Sequence, residues 1–184
     1  MRATGVLLEE HQGVRLMLDI LDEICNRLQA GKQARAGQLG QIVEFFRIFV
    51  DKCHHAKEED ILFPEMEKAG VANKGGPLGA LLAEHEQGRG YVRNMGVAVA
   101  AYQAGDKTRG ATIVALARQY SELLSRHIKK EDEVLYPMAD KMFSEKQQQE
   151  MAEEFARIES ERLGAGTHEK FHALLQQLQA EYLG

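Results

Sequence analysis

Tryptophan is absent from this chain of 184 residues, and proline occurs only three times. With so few breakers, long helices can run uninterrupted. Strand-like alternation of apolar and polar residues is also missing, and apolar residues recur at helical spacing almost throughout, which predicts an all-α chain. Two cysteines, Cys25 and Cys53, cannot build a disulfide framework. They are expected as small buried apolar residues, in a reducing cytoplasm. No apolar run approaches the ~20 residues of a membrane span, and Met1-Arg2-Ala3-Thr4-Gly5 leads into a charged amphipathic segment rather than a signal peptide. Net charge is −5 with no basic block, which argues against a nucleic-acid partner. An apolar fraction of 44% and a charged fraction of 28% are ordinary for a globular protein and suffice for a real core.

What the sequence does have is a duplication. Cys53-His54-His55-Ala56-Lys57-Glu58-Glu59-Asp60-Ile61-Leu62-Phe63-Pro64 recurs as Arg126-His127-Ile128-Lys129-Lys130-Glu131-Asp132-Glu133-Val134-Leu135-Tyr136-Pro137. In both copies the Glu follows the His by 4 positions and the Pro follows it by 10. Upstream, Leu7 to Arg15 matches Leu81 to Arg89 at 5 of 9 positions, a shift of 74 against 73 for the second motif. Two copies at so long a period indicate a duplicated helical hairpin, not a solenoid.

The first predicted helix runs from Val6 to Ala30, with His11 inside its apolar stripe. The second carries Leu39, Ile42, Phe46, Val50, His54, Glu58 and Ile61, with Pro64 disturbing its last turn. Pro77 opens the third, which carries His85. The fourth carries Tyr120, Leu124, His127, Glu131 and Leu135. Ser144 and Gln147 form a capping box for a fifth helix with a thin stripe at Met151, Phe155 and Ile158. Gly164-Ala165-Gly166 breaks that helix, and Thr167 caps a short last one. The expected architecture is an up-down-up-down four-helix bundle over residues 1–143, with a helical extension over 144–184 packing on it.

Each of the four main helices has a His within its apolar stripe. His11 lies 19 residues and His54 lies 16 residues from the turn they share, or roughly 28 and 24 Å along their helices. His85 and His127 each lie 19 residues from theirs. All four therefore fall at one level, with Glu58 and Glu131 about one turn away on the same faces. A lone His on an apolar face is more often a hydrogen-bonded core residue, and a Lys-Glu-Glu-Asp run is usually solvated. Four imidazoles and two inward carboxylates at one level, with no Lys or Arg on those stripes, need a cation to offset burial. Imidazole with carboxylate and no thiolate suits iron, manganese, zinc or nickel. Two carboxylates shared among four imidazoles suit two ions bridged by the carboxylates.

His11, His54-x3-Glu58, His85 and His127-x3-Glu131, with the Leu-Phe-Pro and Leu-Tyr-Pro endings and the Glu-His-x3-Arg segments, resemble the hemerythrin-like, or HHE cation-binding, domain over residues 6–142. The resemblance implies a four-helix bundle with a non-haem di-iron centre: two iron ions, oxygen-bridged, meeting O2, NO or peroxide. Oxygen-carrying hemerythrins have a second His where Arg89 stands and an Asp where Asp132 stands. The repeat pairs Glu131 with Glu58, so Glu131 is the expected ligand. With fewer imidazoles, sensing is expected over stable oxygen carriage. The alternatives are a peroxidase- or oxidase-type enzyme and iron storage or delivery for repair of iron centres.

Two further His need placing. His55 aligns with Ile128 in the repeat; adjacent helical residues point ~100° apart, which suggests a helix-flank role for His55 and leaves a fringe contact to the metal open. His168-Glu169-Lys170-Phe171-His172 matches HExxH, but only 12 residues follow it, and a peptidase cleft is not expected. Instead His168, fixed in the first turn of a helix folding back on the bundle, is expected to reach the metal as a seventh ligand.

Overall fold

The computed structural model describes residues 1–162, 164 and 166–184; among these there are six helical runs and no strand. The first helix is Ala3–Gln29, starting about one turn before the predicted Val6. The second covers residues 36–68 without a break, the third is Pro77–Gln103, and the fourth covers residues 110–142. The fifth, Glu145–Arg162, and the sixth, Thr167–Tyr182, follow. None of the described helices is long and apolar enough to cross a membrane.

The duplication is visible in how the hairpins turn. Gly31 ends the first helix at φ 77° and Gly105 ends the third at φ 109°. Past each glycine the next amide reaches back over the last turn, Lys32 donating to the Arg27 carbonyl at 3.0 Å and Asp106 to that of Ala101 at 3.1 Å. That closure needs a left-handed residue, which glycine adopts without a Cβ penalty.

Three stretches wind more widely than an α-helix, their amides reaching five residues back: Phe46–His55, Glu58–Leu62 and Glu131–Leu135. The last two are repeat partners. The Phe63 amide donates to the Glu58 carbonyl and the Tyr136 amide to that of Glu131. Pro64 and Pro137 follow directly. Proline lacks an amide hydrogen and crowds the carbonyl four residues back, and the wide turn gives it room. The disturbance expected at Pro64 takes this form.

The bundle interior is two apolar clusters with a polar layer between them. On the first helix Ala3 and Leu7 belong to one cluster and the residues from Val14 onward to the other, with His11 between. On the second helix the break falls between Val50 and Ala56, on the third between Leu81 and Val92, and on the fourth between Ile128 and Leu135. These intervals hold His54, His85 and Glu131, while His127 stands beside Ile128 at the edge of its interval.

The fifth and sixth helices are seated on opposite halves. Met151, Phe155 and Ile158 join the cluster at the proline end. Phe171, Leu174, Leu175, Leu178 and Tyr182 join the larger one. Ser144 and Gln147 form the capping box, the Gln147 amide donating to Ser144 Oγ at 3.3 Å and the Ser144 amide to Gln147 Oε1 at 3.0 Å. The predicted reversal at 164–166 includes Ala165, which lies outside the described residues. Gly164 and Gly166 have φ of 74° and 82°. Thr167 is the first helical residue, so the residue before the sixth helix is Gly166 and not Thr167 as expected.

Phe171 fastens the sixth helix, its ring 5.5 Å from Phe45 edge-on and 6.1 Å from Phe49. Phe171→Ala is expected to destabilise the fold by about 3–5 kcal/mol, read as a lower urea midpoint. Lys170→Ala, which removes an exposed pair with Glu44 and an ammonium 5.8 Å from the Phe171 ring centre, is expected to cost less than about 1 kcal/mol.

Candidate metal centre

Six side chains expected from the sequence converge in the polar layer. His11 Nε2 lies 3.0 Å from His54 Nε2, and His85 Nε2 lies 2.9 Å from His127 Nε2. Glu58 and Glu131 are fully buried between the two pairs. Glu58 Oε2 is 3.4 Å from His85 Nε2 and 3.8 Å from His54 Nε2. Glu131 Oε2 is 3.4 Å from His11 Nε2, and its Oε1 is 2.9 Å from His127 Nε2. Glu58 Oε2 and both Glu131 oxygens nevertheless have no hydrogen-bond partner. The Tyr136 hydroxyl donates to the other Glu58 oxygen at 2.7 Å.

The outer nitrogen of each imidazole decides what its inner nitrogen can do. His11 Nδ1 faces Asp132 at 2.6 Å, His85 Nδ1 faces Glu59 at 2.7 Å, and His54 and His127 Nδ1 face Glu10 and Glu84, both at 2.9 Å. A carboxylate accepts, so each Nδ1–H donates and each neutral ring turns its Nε2 lone pair inward. Every one of these carboxylates is itself held by a cation: Asp132 by Arg15, Glu59 by Arg89, Glu10 by Lys57 and Glu84 by Lys130. The four chains form two pairs under the repeat. Glu131, not Asp132, faces the imidazoles, and Asp132 orients His11.

Two lone pairs held 3.0 Å apart repel unless something positive lies near both. Two nitrogens bound cis to one ion at about 2.1 Å each stand about 3.0 Å apart, which is the spacing of both pairs. Protons compete for the same places. Burial disfavours charge on His11, yet Asp132 and Glu131 outweigh it and hold its pKa up at about 9. At His127 burial is likewise outweighed by Glu131 and Glu84, which lift it to about 10. Burial alone would raise the Glu131 carboxyl, but His127 and His11 keep it well below its ordinary value. The donor set and the orphaned carboxylate oxygens fit a cation at this level. Ligand atoms of His55, Glu58, His85 and His127 all lie within 4.8 Å of one another, as do those of His11, His54 and Glu131.

Three residues stand elsewhere than the sequence suggested. His55 is not on the flank. It is buried, stacked on His85 with ring centroids 3.8 Å apart. Burial, then the neighbouring His85, His54 and His127, hold its pKa well below the usual imidazole value, so it is neutral. The wide winding of Phe46–His55 is why: successive residues turn by less than the ~100° of an α-helix, so His54 and His55 both face inward. Lys57 contradicts the expected absence of a basic side chain at this level. It is fully buried, pairing with Glu10 and, at 3.0 Å, with Glu159 of the fifth helix. Its ammonium fills the space among Glu10, Cys53 and Glu159. Cys53 itself is pushed by burial to about 12 and stays a thiol. His168 is exposed, its ring 5.7 Å from Phe49, and it belongs to neither group of converging ligand atoms. The sixth helix docks through its apolar face, which points His168 outward beside exposed His172.

The family described as Hemerythrin HHE cation binding domain matches residues 2–139. Uncharacterized proteins of Mycobacterium bovis and of two strains of Mycobacterium tuberculosis are each 29% identical over 158 residues, 86% of this chain and 61% of theirs. The chain thus spans about three-fifths of the length of these curated relatives. No solved structure matches it.

Asp132→Asn and Glu59→Gln each remove an acceptor that fixes an imidazole, and each is expected to weaken divalent-metal affinity by about 10–100-fold in competition with a chelator. Lys57→Met leaves Glu10 without its buried cation and is expected to destabilise the fold by about 3–5 kcal/mol, measured by urea unfolding.

Proposed function

We propose, from the premise that the chain belongs to the hemerythrin HHE cation-binding domain family, that it is a non-haem di-iron protein that binds or senses O2, NO or peroxide. The observation that carries this is the pair of buried carboxylates, Glu58 and Glu131, whose free oxygens face four inward lone pairs. His11, His54, His85 and His127 would be terminal ligands, with Glu58 and Glu131 shared between the ions. Imidazole and carboxylate without thiolate is compatible with iron, and the Cys53 thiol is protonated. Two iron ions held there would supply one-electron redox change and an open coordination position for a small molecule.

The chain's own residues shape what can arrive. Six protein ligands do not fill two six-coordinate ions even with both carboxylates shared. Apolar clusters on either side of the layer bury it away from bulk water. The Tyr136 hydroxyl, 2.7 Å from Glu58 and 3.4 Å from His11 Nε2, is a proton donor at the edge of the layer. It can hydrogen-bond a ligand only by loosening its hold on Glu58. Burial, then Glu131 and Glu58, push its pKa far above the usual phenol range, so it stays a donor. A bound molecule that draws this hydroxyl would release Glu58 and bias the second helix, which is the differential contact that sensing requires.

Anaerobic titration with ferrous iron is expected to load two ions per chain, and exposure to O2, NO or peroxide is expected to change the near-ultraviolet spectrum. Glu58→Gln is expected to lose at least one ion. One zinc and no iron after iron-replete expression, or a spectrum indifferent to all three molecules, would remove this reading.

A further inference from the structure

The two halves of the duplication agree at every ligand and at every carboxylate and cation behind it. They disagree at a few buried positions nearby, Phe63 opposite Tyr136 among them, and one of these differences adds an imidazole to the layer. Where the fourth helix has Ile128, 1% exposed and packed in the larger apolar cluster, the second helix has His55, 4% exposed.

An imidazole in an alkyl side chain's place should be hydrogen-bonded, because a buried polar atom left without a partner keeps the full cost of its desolvation. His55 has neither of its nitrogens satisfied. The Asp51 carboxylate is 3.6 Å from Nδ1, too far for a hydrogen bond, and is engaged at 2.7 Å by Arg89. The ring lies nearly parallel to His85, at 14°, and edge-on to His127 with centroids 5.9 Å apart. One of its nitrogens lies within 4.8 Å of ligand atoms of Glu58, His85 and His127. A buried donor atom with no partner, in reach of three metal-ligating groups, has the chemistry of a ligand and not of a core filler.

We infer that His55 is a further protein ligand, the third imidazole on the ion held by His85 and His127. This rests on the reading that the layer holds two ions. It makes the two positions inequivalent: three imidazoles on one ion, and two, His11 and His54, on the other. The duplication alone would have made them alike, and His55 is the substitution that changes their count of imidazoles.

His55→Ile installs the residue that the other half already carries at this place. Without metal, the variant is expected to melt at or above the parent temperature, since an alkyl group replaces two unpartnered nitrogens. Parent and variant are then loaded anaerobically with ferrous iron enriched in a Mössbauer-active isotope. The parent is expected to show two distinct doublets of equal area. The variant is expected to lose or shift one of them and to release one iron to a chelator more than about 10-fold faster. If His55→Ile does not fold, His55→Ala with and without added imidazole replaces it, and slow release restored by imidazole supports the assignment. Two irons, both parent doublets and the parent release rate in the variant overturn it while leaving the di-iron reading intact. A parent chain that takes up fewer than two irons overturns that reading and this inference with it.

Discussion

Two carboxylates, Glu58 and Glu131, are fully buried at the centre of four helices with no hydrogen-bond donor for three of their four oxygens. Burying such charge is tolerable only if positive charge stays close, and the rest of the structure is arranged around that constraint. Four imidazoles surround the pair. Their outer nitrogens are committed to Asp132, Glu59, Glu10 and Glu84, which leaves inner lone pairs that repel one another without a cation. Arg15, Arg89, Lys57 and Lys130 in turn hold those outer acids. Charge alternates from the centre outward, and the ordering reaches the surface. The apolar clusters on both sides lower the local dielectric and strengthen each of these contacts.

The duplicated hairpin explains why so much is present twice. Each half brings an imidazole with an Arg one turn on, and an HxxxE unit with a Lys between. The halves exchange their acids: Asp132 of the second serves His11 of the first, and Glu59 of the first serves His85 of the second. Neither hairpin can complete its own site, so assembly of the layer and docking of the halves are one event. Symmetry fails at several places, and two stand out. His55 stands opposite Ile128. Lys57 is buried and bridges to Glu159, whereas Lys130 is half exposed and meets only Glu84. The second difference ties the fifth helix, through Lys57 and Glu10, to His54.

Much of the layer could be read from the sequence because helical spacing and loop length fix which residues share a level. That reasoning placed His11, His54, His85, His127, Glu58 and Glu131 together, and the repeat chose Glu131 over Asp132. It went astray where local winding departs from the α-helix. His55 was assigned to the flank on α-helical geometry, and the wide turn at Phe46–His55 turns it inward. Proline gave no signal of that turn: Pro64 lies well beyond it, and Pro137, equally spaced from His127, leaves Gly110–Lys130 α-helical. Lys57 was hidden for a different reason. Its burial depends on Glu159, more than a hundred residues away, and no local pattern reports that contact. His168 was expected at the metal because one more imidazole was sought in the tail. The additional imidazole near the layer is His55, adjacent to an expected ligand.

Anomalous X-ray diffraction from crystals of the iron-loaded protein, recorded above and below the iron edge, tests the central claim most directly. The account predicts two iron peaks about 3.5–4 Å apart, one beside His11 and His54 and the other beside His85 and His127, with Glu58 and Glu131 between them. A single peak, or iron bound away from these carboxylates, would contradict it.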